Sequence, residues 1–399
     1  MAQLNNAKAS FTSSIKKTAL KGVEFFIDKH VIFATLQSVQ PICSKRTALD
    51  ITANILVQVF PTELVLRATD LEISFQASFA IDSTLTETFQ FSVHARRLME
   101  LVKDLDGNLS LSWNGSSLSI SSDKNPDVGI VLATAPAENF PAFPERIENL
   151  IDIDAQFLRS AINQVDPLIP SGNANSALNG LLIEFNQEGL SFVATDGHSL
   201  AQLKTEKYTL SDSYEWIIPK KAVGELKKTL DLTNPARIFL GICAGQLVFS
   251  GGNFNFFTRL IADKFPNYKP ILDHTDFSVG QIDKAALCST LRRANSLLAG
   301  KFISAKFKFE KNFVEINLEN KEIGSLKERV PLTNFDSTPI TCGFYAPYVL
   351  TAIAQISQET VRFLIKQGVS PLFFEFTFND ISAIYLIMPV VNNDTELSE

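Results

Sequence analysis

The sequence predicts an α+β chain of three similar domains, each mostly antiparallel sheet with a pair of helices. Three observations carry that expectation. A short signature recurs one domain apart: residues 68–72 read Ala-Thr-Asp-Leu-Glu and residues 194–198 read Ala-Thr-Asp-Gly-His, which places Asp70 and Asp196 126 positions apart. A second pair keeps step, with Asn139-Phe140-Pro141 and Lys264-Phe265-Pro266 separated by 125 positions, and a weaker echo puts Asn320 124 positions beyond Asp196. A period near 125 is too long for a solenoid unit of ~20–50 residues and fits a whole domain. The third observation is that helical and strand patterns recur with the same period. The 399 residues hold three such copies, each long enough to bury a core of its own.

Helical patterning falls at residues 28–43 and 95–105 in the first copy, 154–165 and 220–230 in the second, and 283–298 and 346–356 in the third. Strand alternation fills the intervals. Ile55 to Val59 and Leu64 to Ala68 flank Pro61-Thr62-Glu63, and Leu181 to Phe185 and Leu190 to Val193 flank a Gln-Glu-Gly turn. Phe307 and Phe309 alternate with Lys306, Lys308 and Glu310; beyond Lys311-Asn312, Val314, Ile316 and Leu318 alternate with Glu315, Asn317 and Glu319, the pattern of a hairpin with one buried face. Phe374, Phe376 and Phe378 repeat the alternation near the end. Each copy thus reads helix, strands, helix, strands. The proline-containing stretches 141–144 and 266–270 each precede a new copy and mark the boundaries.

Composition narrows the function classes. No apolar run approaches the ~18 residues of a membrane span. Residues 1–22 carry Lys8, Lys16, Lys17 and Lys21, no acid and no apolar centre, so no signal peptide is expected and a cytoplasmic protein is. Cys43, Cys243, Cys288 and Cys342 form no CxxC pair, and the four histidines are scattered; no metal, no cofactor and no disulfide framework is expected. The net charge of −7 argues against a generic nucleic-acid binder, but the charge is uneven. Arg96-Arg97, Lys220-Lys221, Lys227-Lys228 and Arg292-Arg293 all fall on predicted helices, Lys45-Arg46 follows the first helix, and many strand residues facing water are acidic. One basic pair on a helix is usually a solvated face; its recurrence in all three copies points to a basic helical face on an acidic body.

Motifs of catalysis are missing. Ala299-Gly300-Lys301-Phe302 lacks the first glycine and the hydroxyl of a phosphate-binding loop, and neither GxGxxG nor GxSxG occurs. Asp196, His198 and Ser199 sit within four residues, but a catalytic triad is assembled from distant segments and Asp-Gly is a common turn dipeptide. A small hydrolase using Asp196 and His198 is therefore the weakest reading, a structural turn the strongest, and a binding surface stands between them.

Ala194 to Ala201, Ala68 to Glu72, Lys264-Phe-Pro-Asn-Tyr-Lys269, Pro219-Lys-Lys221 and Tyr385-Leu-Ile-Met-Pro-Val390, in this order and spacing, resemble the bacterial replicative sliding clamp, the beta subunit of DNA polymerase III. The resemblance runs from about Val23 to Val391. It implies clamp domains at 23–147, 148–273 and 274–391, a polar, basic extension at 1–22 and an acidic tail at 392–399. It further implies a head-to-tail homodimer closing a six-module ring, helices lining the hole and antiparallel sheets outside. Such a ring has no chemistry of its own; it encircles duplex DNA without regard to sequence and tethers the polymerase catalytic subunit and other proteins bearing a clamp-binding motif. Lacking a phosphate-binding loop, it needs a separate ATP-driven loader. A clamp-derived scaffold that does not encircle DNA is the alternative.

Carried over residue by residue, the resemblance implies phosphate contacts from Arg46, Arg96, Arg97, Lys220, Lys221, Arg292 and Arg293. It implies a partner-peptide pocket of Thr195, Gly197, His198, Leu200, Pro266, Ile271, Tyr348, Leu386, Ile387, Met388, Pro389 and Val390, and a dimer interface of Leu101, Ile130 and Leu132 against Leu297. There are departures. Ser199 and Pro270 stand where relatives have arginines, Ser296 takes an apolar interface position, and the 170–177 loop carries small polar residues where some relatives place aromatic and basic ones.

Overall fold

The computed structural model describes residues 23–43, 49–83, 85–143 and 147–390. The first third runs β1 (Val23–Asp28), α1 (Lys29–Cys43), β2 (Asn54–Val59), β3 (Glu63–Thr69), β4 (Ile73–Ala80), the two-residue β5 (Asp82–Ser83), β6 (Phe89–His94), α2 (Ala95–Lys103), β7 (Asn108–Trp113), β8 (Ser117–Ser122) and β9 (Ile130–Ala135). The middle third runs β10 (Glu148–Asp154), α3 (Ala155–Val165), β11 (Gly180–Asn186), β12 (Gly189–Thr195), β13 (Ser199–Thr205), β14 (Tyr214–Pro219), α4 (Lys220–Thr233), β15 (Arg237–Cys243), β16 (Gln246–Ser250) and β17 (Phe254–Thr258). The last third runs β18 (Ser278–Asp283), α5 (Lys284–Ser296), β19 (Ala305–Glu310), β20 (Phe313–Asn320), β21 (Gly324–Thr333), β22 (Ile340–Phe344), α6 (Ala346–Gln355), β23 (Thr360–Ile365), β24 (Leu372–Phe378) and β25 (Ile381–Ile387).

Each third is one module used twice: a strand, a helix and a three-strand meander. The leading strand is the part the sequence concealed. In β1, Val23, Phe25 and Ile27 are buried and Glu24, Phe26 and Asp28 exposed, but the apolar Phe26 on the wet side erases the alternation. The helices stop for local reasons. Asp28 and Asp283 stand just outside α1 and α5, their carboxylates accepting from the amides of His30 (2.7 Å) and Ala286 (2.7 Å) as N-caps do. α4 runs three residues past its expected end at Leu230 and stops where Asn234, at φ 41°, precedes a proline.

Contacts divide the chain into two compact units: one reaches to Gln156 and includes Gly224–Arg259, the other holds Phe157–Val223 and everything from Leu260 onward. In the first, thirteen strands form one antiparallel array in the order β10-β15-β16-β17-β4-β3-β2-β6-β9-β8-β7-β1-β5, with α1 packed on α2. In the second, twelve strands run β14-β11-β12-β13-β25-β24-β23-β18-β21-β20-β19-β22, with α5 packed on α6. Neither sheet respects the boundary between repeats: β4 pairs β17 and β13 pairs β25.

The repeated signature is a turn. Asp70 Oδ1 accepts from the amides of Glu72 (3.0 Å) and Ile73 (2.7 Å), and Thr69 Oγ1 donates to Ile73 O (3.0 Å). Asp196 Oδ1 accepts from His198 N (2.8 Å) and Ser199 N (2.6 Å), and Thr195 Oγ1 donates to Ser199 O (2.6 Å). At the third copy Asn320 Oδ1 accepts from Glu322 N (3.2 Å). An Asp or Asn side chain that caps its own following amides is the reason these residue types recur there.

In the last third, Glu315 is buried beneath its partners: it accepts from Arg329 Nε (2.9 Å) and Asn317 Nδ2 (3.2 Å) and pairs with Lys327 (3.2 Å). These partners, Arg329 foremost, hold its carboxyl down at about 2 from the ordinary 4.5. A carboxyl depressed in the folded state contributes stability above its unfolded pKa and loses it as pH falls towards the folded one. Glu315→Gln is therefore less stable than the parent at pH 7, and urea-unfolding curves of the two converge between pH 4.5 and about 2.

Candidate functional site

Residues of the expected pocket come together on the second unit where β13 meets β25. Leu200 pairs with Leu386 and Ser199 with Ile387, and beyond the strand Met388 N donates to His198 O (2.7 Å) and Val390 N to Gly343 O (2.8 Å). These bonds draw the chain end across the Asp196 turn. Leu200 and Leu386 are buried in an apolar cluster with Phe265, Tyr268, Val193 and Phe373, against which Met388 packs. Gly197 (φ 92°), His198, Pro266 and Ile271 are exposed at the rim, and Thr195 is buried beneath it. The His198 ring stacks on Tyr348 with centroids 5.7 Å apart. Burial pushes the Tyr348 phenol above its ordinary value, and the negative charge of Asp196 adds to the shift.

Two members of the expected pocket have a different place. Leu386 and Ile387 are 2% and 0% exposed, so Leu386 is floor rather than wall. Ile387, pointing to the other face as neighbours on a strand do, is core. Two others were not legible in the sequence: Tyr345 packs edge-on against Tyr348 at 5.0 Å, and Phe302, more than half exposed, stacks on Tyr345 at 4.3 Å. A row of rings thus leads outward from His198. Only the high aromatic content hinted at it, because Phe302 and Tyr345 lie far from the signature turn in sequence.

The hydrolase reading fails on geometry. The Asp196 carboxylate caps the amides of His198 and Ser199 and accepts from Ser199 Oγ (3.0 Å). No hydrogen bond joins Asp196 to the His198 ring among the described residues, and that ring is committed to Tyr348. The 170–177 loop is likewise tied down by hydrogen bonds: Asn173 N donates to Asn179 Oδ1 (2.7 Å), Asn173 Nδ2 to Asp196 O (3.2 Å) and Ala177 N to Asn175 Oδ1 (3.1 Å). Among the described residues no group of three or more His, Cys, Asp or Glu is placed to hold a metal, and all four cysteines are buried and unpaired.

The three thirds match, in order, the N-terminal, central and C-terminal domains of the DNA polymerase III beta subunit, over residues 23–144, 152–267 and 273–391. The chain belongs to the DNA polymerase III beta subunit family. The beta sliding clamp of Pseudomonas aeruginosa is 27% identical over 374 residues, covering 92% of this chain and 100% of the relative; that of Escherichia coli K12 is 26% identical over 372 residues with the same coverage. The solved DNA polymerase III subunit beta from P. aeruginosa superposes with a TM-score of 0.85 at 25% identity over 92% of this chain and 100% of that one. A griselimycin-bound clamp from the same organism gives 0.84 at 25% over 93% and 100%. Membership makes this chain a non-catalytic sliding clamp of DNA replication. Among the described residues no helix is long and apolar enough to cross a membrane.

The basic residues expected of a clamp differ in their freedom. Arg46 lies outside the described residues. Arg96 is exposed on α2 but bonds Glu100 Oε1 at 2.7 Å, and Arg293 forks onto both oxygens of Glu328, Nε to Oε2 at 2.9 Å. Lys220 donates to the Ile169 carbonyl, and Lys221, half-buried, also has a partner. Arg97 and Arg292 are exposed and carry no ion pair among the described residues. The expected interface residues sit on or beside half-open strands and helix ends. Ile130 and Leu132 on β9 are half-buried, as are Leu101 on α2 and Leu297 at the C-cap of α5. Val131, between the two on β9, is 60% exposed and was not anticipated. β9 pairs β8 from Ile130 to Ala133 but reaches β6 only at Thr134 and Ala135; β21 pairs β20 along its length but reaches β18 only at Leu332 and Thr333.

Proposed function

We propose that two copies of this chain close head to tail into a ring around duplex DNA, with helices inside and sheets outside. The observation that carries this is the strand pairing. In the chain, the last strand of one third's first meander pairs with the last strand of the next third's second meander: β4 with β17, and β13 with β25. The same rule leaves β21 of the last third and β9 of the first third without an inter-repeat mate, and among the described residues their outer edges are open from Gly324 to Pro331 and from Ile130 to Ala133. Pairing β21 of one copy with β9 of the next satisfies both, and a heterologous contact of this kind must close or grow into a filament. Closure also hides two edges that otherwise invite aggregation.

In the closed ring the helices carry Arg96, Arg97, Lys220, Lys221, Arg292 and Arg293 towards the phosphates, and Arg46, which follows the first helix in sequence, is a further phosphate contact. Attachment is topological, so weak and sequence-blind contacts suffice and the ring slides. The groove holds short motif-bearing segments of the polymerase catalytic subunit, an ATP-driven loader and other replication proteins; Met388 adapts to different side chains. The protein works on chromosomal DNA in the cytoplasm. Light scattering at micromolar concentration should give twice the 44.1 kDa chain mass. Once loaded, the protein should stay on circular DNA and run off the same molecule after linearisation. Equal loss from both forms would favour the scaffold reading.

The free arginines set a second expectation. Arg97→Ala with Arg292→Ala should weaken DNA binding alike on every sequence and lower the slope of log affinity against log salt by ~0.9 for each duplex phosphate contact removed. Arg293→Ala should change the slope less, because its guanidinium is already neutralised by Glu328. Fluorescence anisotropy across a salt series reads both.

A further inference from the structure

We propose that Tyr268 and Glu184 form a latch that fixes the rim of the groove, so that Tyr268 is a positioning residue for partner-peptide binding. The proposal rests on the reading of the groove as a peptide site. The segment from Phe265 to Leu272 lies over the face of the sheet that carries Leu200 and Leu386, and it supplies Pro266 and Ile271 to the rim. It has little regular structure of its own, a single 3₁₀ turn at Lys269–Leu272, so its position depends on what holds it down. Phe265 and Tyr268 are 7% and 4% exposed and anchor it in the apolar cluster.

Apolar anchoring alone leaves such a segment free to slide. Here a polar contact fixes it. Glu184, on β11 and 9% exposed, accepts from the Tyr268 hydroxyl through Oε2 and pairs with Lys269 Nζ (3.3 Å) through Oε1; Gln202 Nε2 on β13 donates to the Tyr268 hydroxyl (3.3 Å). A buried carboxylate is costly unless its oxygens are engaged, and a charged acceptor makes a shorter and more directional bond than a neutral one. Burial and the Glu184 charge both push the Tyr268 phenol up, which keeps the donor proton in place.

The other linker shows what the latch adds. Phe143 stands 125 positions before Tyr268, and Gln58 stands 126 before Glu184. Phe143 is buried in the equivalent apolar cluster, but with no hydroxyl; Arg67 lies over its ring at 5.3 Å, and Gln58 bonds Gln90 (3.2 Å) instead. Phe143 is held there by packing and by the guanidinium over its ring. The linker that forms the groove is held by packing and by a directed bond to a buried charge.

The test titrates an acetylated Gln-Leu-Ser-Leu-Phe peptide against the intact protein by fluorescence anisotropy. Tyr268→Phe should weaken binding by about fivefold to tenfold and speed exchange of the Ile271 amide, which donates to Tyr268 O (3.1 Å). Glu184→Ala should do the same, while Glu184→Gln, which still accepts from the hydroxyl, should restore most of the affinity. Ile316→Val, a core change on β20 that touches neither Tyr268 nor Glu184 in sequence or strand pairing, should bind like the parent when chosen conditions give the same melting temperature as Tyr268→Phe. Parent-like affinity in Tyr268→Phe overturns the latch, as does equal weakening in Ile316→Val. A parent that fails to bind the peptide at all overturns the groove reading itself, a result distinct from either.

Discussion

Replacing Leu132 and Leu297 with aspartate together should leave a monomer. By the pairing rule, Leu132 lies on the strand that meets β21 of the next copy, with Leu297 beside it at the end of α5. Transferring the β4–β17 register, in which Ile73 faces Thr258, forward by two repeats from β4 and back by one repeat from β17 sets Ile323 opposite Ala133 and Ser325 opposite Val131 of the neighbour. Ile323 is 53% exposed and Val131 60% exposed in the single chain, an apolar cost that such a joint removes. Burying a carboxylate without a partner costs several kcal/mol, commonly about 3–5, and a ring has two joints, each receiving both substitutions. Ser296 next to Leu297 contributes less apolar surface than an aliphatic residue, so the joint has little reserve. Light scattering at micromolar concentration should show a species of 44.1 kDa, and retention on circular DNA should vanish with it. A double variant that remains dimeric would place the joint elsewhere.

Deleting residues 388–399 should abolish partner-peptide binding and spare the dimer. The deletion removes Met388 from the floor cluster and cuts the bonds from Met388 N to His198 O and from Val390 N to Gly343 O. The groove then loses a wall and the restraint on its turn, and the expected loss is about a hundredfold or more, beyond the range of a weak-peptide titration. β9 and β21 are untouched, so mass by light scattering should not change. Tyr348→Ala is the milder companion: it leaves the backbone bonds in place, removes the ring that stacks on His198, and should weaken the same peptide by about tenfold. Undiminished binding in the deletion would show that partners dock elsewhere.

The six helices and most hairpins were legible because each is a local pattern: apolar spacing, a cap such as Asp283, a turn such as Lys311-Asn312. The signature turn was legible as a repeat, and its Asp-capped geometry follows from the residue type. The leading strands were not, since Phe26 breaks the alternation of β1 and Ile217-Ile218 in β14 are both buried. What joins distant segments was least legible. Nothing in the spacing of Phe302, Tyr345, Tyr348 and His198 announces that four rings make one row. Nor does the sequence say which arginines are neutralised: Arg292 and Arg293 are adjacent, yet β21 supplies Glu328 to only one of them.

The pairing of β4 with β17 has a consequence for synthesis on the ribosome. Ile73 must wait for Thr258, and at ~5–20 residues per second that delay is on the order of 10–40 s. Throughout it the nascent first third presents the outer edge of β4, Ile-Ser-Phe-Gln-Ala-Ser-Phe-Ala, uncharged and paired only with β3 on its other side, the kind of template on which neighbouring chains on a polysome add to one another. The middle third faces a similar interval, β13 remaining bare until Ile381–Ile387 emerges. The compact units therefore do not coincide with the repeats: the first takes in Gly224–Arg259 of the second repeat. Translation rate and the chaperones met between the first and second repeats should govern yield more strongly than the final stability of the protein.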